Sequence, residues 1–134
     1  MKKFLLLFVL IIISYTCLSC NVKTTKRHTD TDYSIGNPTV DEILEDNRNA
    51  DLFLFNQIVY TNAEDLEWVK AKELTIGEEV LVISKQTNDR NKFDDGAATK
   101  LPVGTKIYKP VESGNILVAI VDRKEIRYLG LREG

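Results

Sequence analysis

The chain reads as an α+β protein, a small and mostly antiparallel sheet of about six strands with two short helices. Thr39 with Glu42, and Thr61 with Glu64, each form a Thr-x-x-Glu pair ahead of apolar residues at helical spacing. In that pattern the hydroxyl and the carboxylate satisfy the free N–H groups of a helix start. Short β-branched and aromatic runs, separated by polar or glycine-containing turns, supply the strands. No period of about 20 to 50 residues recurs, so a repeat architecture is excluded. With 134 residues, 43% of them hydrophobic, the chain has room for one domain with a small core.

Order is expected to begin at Pro38. Val40, Ile43 and Leu44 recur at helical spacing and predict a helix over 40–47, ended by Asn47, Arg48, Asn49 and Ala50. Leu52 to Phe55 and Ile58 to Tyr60 predict two strands joined at Asn56 and Gln57. Gln57 is a weak turn residue, because a two-residue hairpin loop needs positive φ. The second helix is expected from the Thr61 box through Leu66, Trp68 and Val69 to about Ala71, followed by a turn at Gly77. Val80 to Ile83 reads as a strand buried on both faces or central in the sheet, and Thr87 to Lys100 as a polar loop. Lys106 to Lys109 is expected as an edge strand stopped by Pro110, which has no N–H for a ladder bond. Asn115 to Val121 and Glu125 to Leu129 form the last hairpin, although Arg123 replaces the glycine that would best suit its turn. The strongly apolar run Ile116 to Val121 is placed at the sheet centre, with Val118 and Ile120 on one buried face.

The N-terminus carries a different kind of information. Lys2 and Lys3 precede an unbroken apolar run, Phe4 to Ile13, and then Leu18, Ser19 and Cys20. The segment resembles a bacterial lipoprotein signal, which implies a diacylglycerol on the Cys20 thiol and cleavage just before that residue. Cys17 departs from the resemblance, since a branched aliphatic residue usually stands there. A retained membrane helix would need about 20 apolar residues, and this run is broken near position 14. A Cys17–Cys20 redox pair would need a folded electropositive surround rather than a membrane-inserting run. The expected organisation is a signal peptide over 1–19, lipidated Cys20 and a flexible tether over 20–37, and one extracytoplasmic α+β domain over 38–134. The protein is then held at the cell membrane, on the outer face of the cytoplasmic membrane. Loss of Lys2 and Lys3 with the signal moves the formal charge from -2 to -4, so attachment rests on acyl chains rather than attraction to anionic lipids. His28 lies in the tether without a neighbour at metal-ligand spacing.

The stretches Asn49 to Val69, Thr99 to Tyr108 and Lys124 to Leu129 together resemble small uncharacterised lipoproteins of Gram-positive bacteria, over about residues 38–134. That family carries no established activity, so the resemblance transfers no catalytic residue. A looser resemblance, of architecture only, is to lipid-anchored immunity proteins that protect a producer cell from its own membrane-active peptide.

Several chemistries can be weighed directly. With 18 basic and 20 acidic side chains there is no cationic excess for nucleic-acid phosphates, and no nucleic-acid partner is expected. A single histidine disfavours His-based metal sites and nucleophile activation. Ser34, Ser84 and Ser113 have no base partner or nucleophile motif, and neither Gly104 nor Gly114 belongs to a phosphate-binding glycine loop, so no cofactor is expected. Asp89, Asn91, Asp94 and Asp95 concentrate oxygen ligands, yet Phe93, Asp94 and Lys100 break the EF-hand register, and the loop is read as solvated. Glu64, Asp65, Glu67, Glu78 and Glu79 are available for carboxylate chemistry, but Glu64, Asp65 and Glu67 also fit a helix start and spacing selects no pair. Most aromatic rings are expected in the core, leaving Trp68 and Tyr108 as candidate contacts for a partner. The expected function is a non-enzymatic module that binds a protein, peptide or envelope component. The alternatives are a carboxylate-dependent envelope hydrolase and an immunity-type lipoprotein that binds a membrane-active peptide.

Overall fold

In the computed structural model, residues 36–112 and 114–133 are described. The expected signal, Cys20, His28, Ser34, Ser113 and most of the tether lie outside the described residues. The chain divides into units 1–33 and 34–134, and every described residue belongs to the second. Gly36 and Asn37, at the end of the expected tether, are bonded to the domain. Gly36 N–H donates to Glu133 Oε2 at 2.9 Å, and Glu133 N–H donates to Asn37 Oδ1 at 3.0 Å.

The first helix, α1 (Val40–Asp46), begins at the Thr39 box, whose hydroxyl accepts from Glu42 N–H while the Glu42 carboxylate accepts from Thr39 N–H. Val40 and Leu44 are buried against Leu52 and Val59, so the periodicity that predicts the helix also names its packed face. The strands are β1 (Leu52–Phe55), β2 (Ile58–Asn62), β3 (Ile76–Val82), β4 (Lys85–Gln86), β5 (Ala97–Ala98), β6 (Lys106–Pro110), β7 (Ile116–Val121) and β8 (Lys124–Gly130). The second helix, α2, is the short segment Glu67–Lys70. Among the described residues the α+β class with two helices and a mostly antiparallel sheet therefore stands. The strands described number eight rather than about six, because β4 and β5 are two-residue strands that give no periodic signal.

The strand order is β3-β6-β7-β8-β2-β1-β5-β4, antiparallel throughout except for the parallel β4–β5 pair. The two outermost strands in this order, β3 and β4, are consecutive in the chain and separated only by Ile83 and Ser84. Ile83 N–H donates to the Thr105 carbonyl at 2.8 Å, and Ser84 N–H donates to the Gly96 carbonyl at 3.0 Å. One bent segment thus supplies both edges, and the sheet closes on itself. Within that segment β3 pairs with β6 and β4 with β5, so each half is laddered on one side.

Strand alternation now explains the core. Phe53, Tyr60, Ile83, Ile107, Leu117, Ala119 and Tyr128 point into the closed sheet. The Phe53 ring stacks on Tyr60 at 5.2 Å and meets the edge of Tyr128 at 5.0 Å. Each of the larger buried side chains contributes roughly 1.5–3 kcal/mol of transfer free energy. The other face of β1 and β2 packs under α1, and Ile116 and Leu129 pack with Val69 of α2. Gly130 has no Cβ because one would press on the Tyr60 ring, at 2.9 Å from Cε1.

Several expectations are corrected by this arrangement. The Thr61–Glu64 box does not form: β2 runs on through Asn62, which pairs with Tyr128, and α2 starts only at Glu67. Sheet pairing outweighs the local capping signal there. Gly77 is not in a turn but inside β3, beside a bulge, where a Cβ would collide with the Lys109 carbonyl. The run Val80 to Ile83 is not buried on both faces, since Val82 is exposed and only Ile83 is fully buried. Lys106–Pro110 is an interior strand between β3 and β7 rather than an edge. The end of the expected polar loop is buried, because Ala97, Ala98 and Thr99 complete the sheet and the Thr99 hydroxyl bonds the backbone of Ala50 and Leu52. In β7, Val118 is buried whereas Ile120 is only half-buried. Both hairpin turns form with positive φ at their central residues: Asn56 and Gln57 at 50° and 62°, Asp122 and Arg123 at 50° and 64°.

Candidate functional site

Of the expected contact residues, Trp68 sits in α2 and Tyr108 in β6. Val69 of this helix is buried with Ala63 and Ile116, which turns its neighbour Trp68 outward, 51% exposed, beside the exposed Leu66. Lys72 Nζ lies 5.7 Å from the Trp68 ring centroid, within cation–π range. A four-residue helix is too short to be stable by its own hydrogen bonds. Its position is set from the sheet. The Arg127 guanidinium donates to the Val69 carbonyl, to Lys70 O at 3.2 Å and to Lys72 O at 2.8 Å, at the C-terminal end of α2 and its following turn.

Tyr108, Val118 and Arg127 are register partners across β6, β7 and β8, so they share the outer face. Tyr108 is half-buried there. The structure therefore brings Tyr108 and the α2 anchor to one side of the sheet, with Val118 between them, while the partner of the Trp68 ring is Lys72. On the same side Lys106 Nζ pairs with Glu79 Oε2 at 3.0 Å. The hydrogen bond and charge of Glu79 hold the Lys106 ammonium above its ordinary value.

The oxygen-rich loop does other work. Asp89 accepts from Asn91 N–H at 3.1 Å and pairs with Lys92 at 3.2 Å. Those two contacts, Lys92 foremost, hold its carboxyl below the usual range. Asp94 pairs with Lys85 at 2.9 Å. Asp95 accepts from Asn56 N–H at 2.9 Å and Gln57 N–H at 3.4 Å, holding the strained turn between β1 and β2. The Asn91 backbone is spent on the Asp89 cap. Each of the three carboxylates serves its own internal partners, and among the described residues no group of three or more His, Cys, Asp or Glu is placed to hold a metal ion.

Of the carboxylates proposed for hydrolysis, Glu64 and Asp65 line one cleft with Glu42, Asp46 and Asp51, while Glu67, Glu78 and Glu79 lie outside it. Asp51, which the sequence does not single out, accepts from Tyr128 Oη at 3.0 Å and from Asn62 Nδ2 at 2.9 Å. Burial pushes the Tyr128 hydroxyl well above its ordinary value, and the Asp51 charge adds to the shift. Glu64 Oε1 accepts the Arg127 N–H at 2.8 Å. Glu42 is held below the usual carboxylate range by the backbone and side chain of Thr39. Ser84 is exposed where the sheet closes. Asp51 and Arg127 carry no local motif, since their partners lie 77 and 58 positions away in the chain.

Compared with protein-family models, curated proteins and solved structures, the chain gives no match.

Proposed function

We propose that this chain is a lipid-anchored extracytoplasmic binding module of the cell envelope, non-enzymatic, whose contact surface for a protein, peptide or envelope component centres on Trp68. The observation that carries this reading is the half-exposed indole on a helix fixed to the sheet by Arg127. A large aromatic held rigidly at a surface gives contact area at low entropic cost, which is why tryptophan is enriched among residues that dominate interfaces. Tyr108 and Leu66 extend that surface. The signal-like segment ending at Cys20 supports the location, and the tether supplies the spacing from the membrane. The same reading places the chain with the small Gram-positive lipoproteins it resembles, and an immunity role against a membrane-active peptide is one form such binding can take. Internal commitments of the cleft carboxylates favour binding over hydrolysis, since both oxygens of Asp51 and one of Glu64 already accept hydrogen bonds.

A photo-crosslinking residue introduced at Trp68, and separately at the exposed Val103, tests the reading in intact membranes. A discrete adduct from position 68 that is absent from position 103 is expected. Equal labelling from both positions, or from neither, contradicts a contact surface at α2.

A further inference from the structure

A concave patch lies between the C-terminal end of α1 and the 3-10 turn at Arg90–Lys92, lined by Leu44, Glu45, Arg48, Asn88 and Arg90. We infer that this is an anion site, in which Arg48 and Arg90 with the Asn88 amide hold a phosphate-class oxyanion. The two guanidiniums come from elements that are distant in sequence but packed on one another, so the fold brings both to one concavity. Each is presented by an ordered turn. Asn47 Oδ1 accepts from Asn49 N–H at 3.0 Å around Arg48, and Asp89 Oδ1 accepts from Asn91 N–H at 3.1 Å around Arg90.

Donor capacity is left over. A guanidinium offers five N–H donors in a planar fork that matches an oxyanion. Arg90 donates to the Asp41 carbonyl at 3.4 Å and comes within 3.9 Å of the Asp41 carboxylate, and Arg48 forms no ion pair within 4.0 Å among the described residues. The lining itself holds two cations, Arg48 and Arg90, and one carboxylate, Glu45, while Asp41 approaches Arg90 from beside it. Buried Leu44 lines the patch beside the four exposed polar residues. A tetrahedral oxyanion with several acceptors uses both forks and the amide together, whereas a cation meets two like charges. The site is separate from the Trp68 surface and does not depend on it.

The test is a titration of inorganic phosphate into the 15N-labelled full chain in non-ionic detergent at constant ionic strength, read by amide shifts. Saturable shifts at residues 45–48 and 88–91 are expected. Arg48→Gln and Arg90→Gln should each weaken binding about tenfold, the loss typical of one charged hydrogen-bonding partner. Glu45→Gln should tighten it, while Lys124→Gln, at the turn between β7 and β8 and outside the lining, should leave it unchanged. A second arm adds phosphatidylglycerol to phosphatidylcholine bilayers carrying the protein: shifts at the same amides identify a lipid headgroup as the source, and shifts with soluble phosphate alone identify a free one. No saturable shift in either arm, or equal weakening by Lys124→Gln and Arg48→Gln, overturns the site.

Discussion

Glu64 accepts the backbone N–H of Arg127 through Oε1 at 2.8 Å, while the Arg127 guanidinium crosses to the carbonyls at the end of α2. The acid that local pattern assigns to a helix cap instead fixes a strand, and that strand in turn fixes the helix. The placement of Trp68 therefore depends on contacts between residues about sixty positions apart.

Arg127→Met keeps an unbranched apolar stem and removes the donors, so α2 should loosen. The expected cost is about 1–3 kcal/mol in urea unfolding, with the m-value unchanged. Trp68 is the only tryptophan, so its fluorescence reports on α2 alone and should shift to the red before global unfolding. Native-like emission in this variant would show that Arg127 does not position the helix.

The turn between β7 and β8 stores backbone strain, because Arg123 adopts φ 64°. A non-glycine residue in the left-handed region costs about 1–2 kcal/mol, part of which glycine gives back through its greater unfolded-state entropy. Arg123→Gly should raise stability by about 1 kcal/mol, read as a higher urea midpoint. A lower midpoint would mean that the arginine makes a compensating contact.

Val118 and Ile120 share one face of β7, and their cross-strand neighbours separate two positions that sequence pattern treats alike. Val118 is fully buried under the outer-face row of Tyr108 and Arg127, whereas Ile120 pairs with exposed Lys106 and Glu125. Val118→Asp should lose at least ~3 kcal/mol, since an unpaired carboxylate is buried. Ile120→Asp should lose clearly less. Equal losses in thermal or urea unfolding would place both side chains in one dry layer.

Where structure follows from local chemistry, it was legible. The Thr39–Glu42 box and the spacing of Val40, Ile43 and Leu44 contain all that α1 needs, and the bounds of β1 and β7 follow from uninterrupted apolar runs. What escaped is decided at a distance. Ala97 and Ala98 have no strand signal of their own, yet they are buried because β1 and β4 lie on either side. The closure of the sheet at Ile83 and Ser84 leaves no mark on composition, and neither do Asp51, Arg48 and Arg90, whose roles exist only after folding. Exposure of Trp68 follows from Val69 taking the inward position on a helix of just one turn.

Burial of the Tyr128 hydroxyl, together with its contact to Asp51, makes a pH prediction. Folding raises the hydroxyl's pKa above its ordinary 10.0, so the folded state keeps a proton that the unfolded chain releases. This contribution to stability is complete below pH 10.0 and declines as pH rises beyond it. Tyr128→Phe should be less stable at neutral pH by about 1 kcal/mol and should lose less on alkaline titration, so the two unfolding curves converge. Parallel curves across the alkaline range would remove Tyr128 as the source.

The lipid anchor is the claim on which location and function both turn, and intact mass combined with metabolic labelling by a fatty-acid analogue tests it most directly. Two acyl chains, at ~0.8 kcal/mol per buried methylene, would hold the protein stably on a membrane without help from its charge. The wild-type protein should carry label, have the mass of a chain beginning at lipidated Cys20, and resist extraction by high salt while yielding to detergent. Cys17→Ser should behave identically, and Cys20→Ser should lose the label and accumulate as precursor or shed protein. Label that persists in Cys20→Ser, or a mature wild-type mass without lipid, contradicts the account.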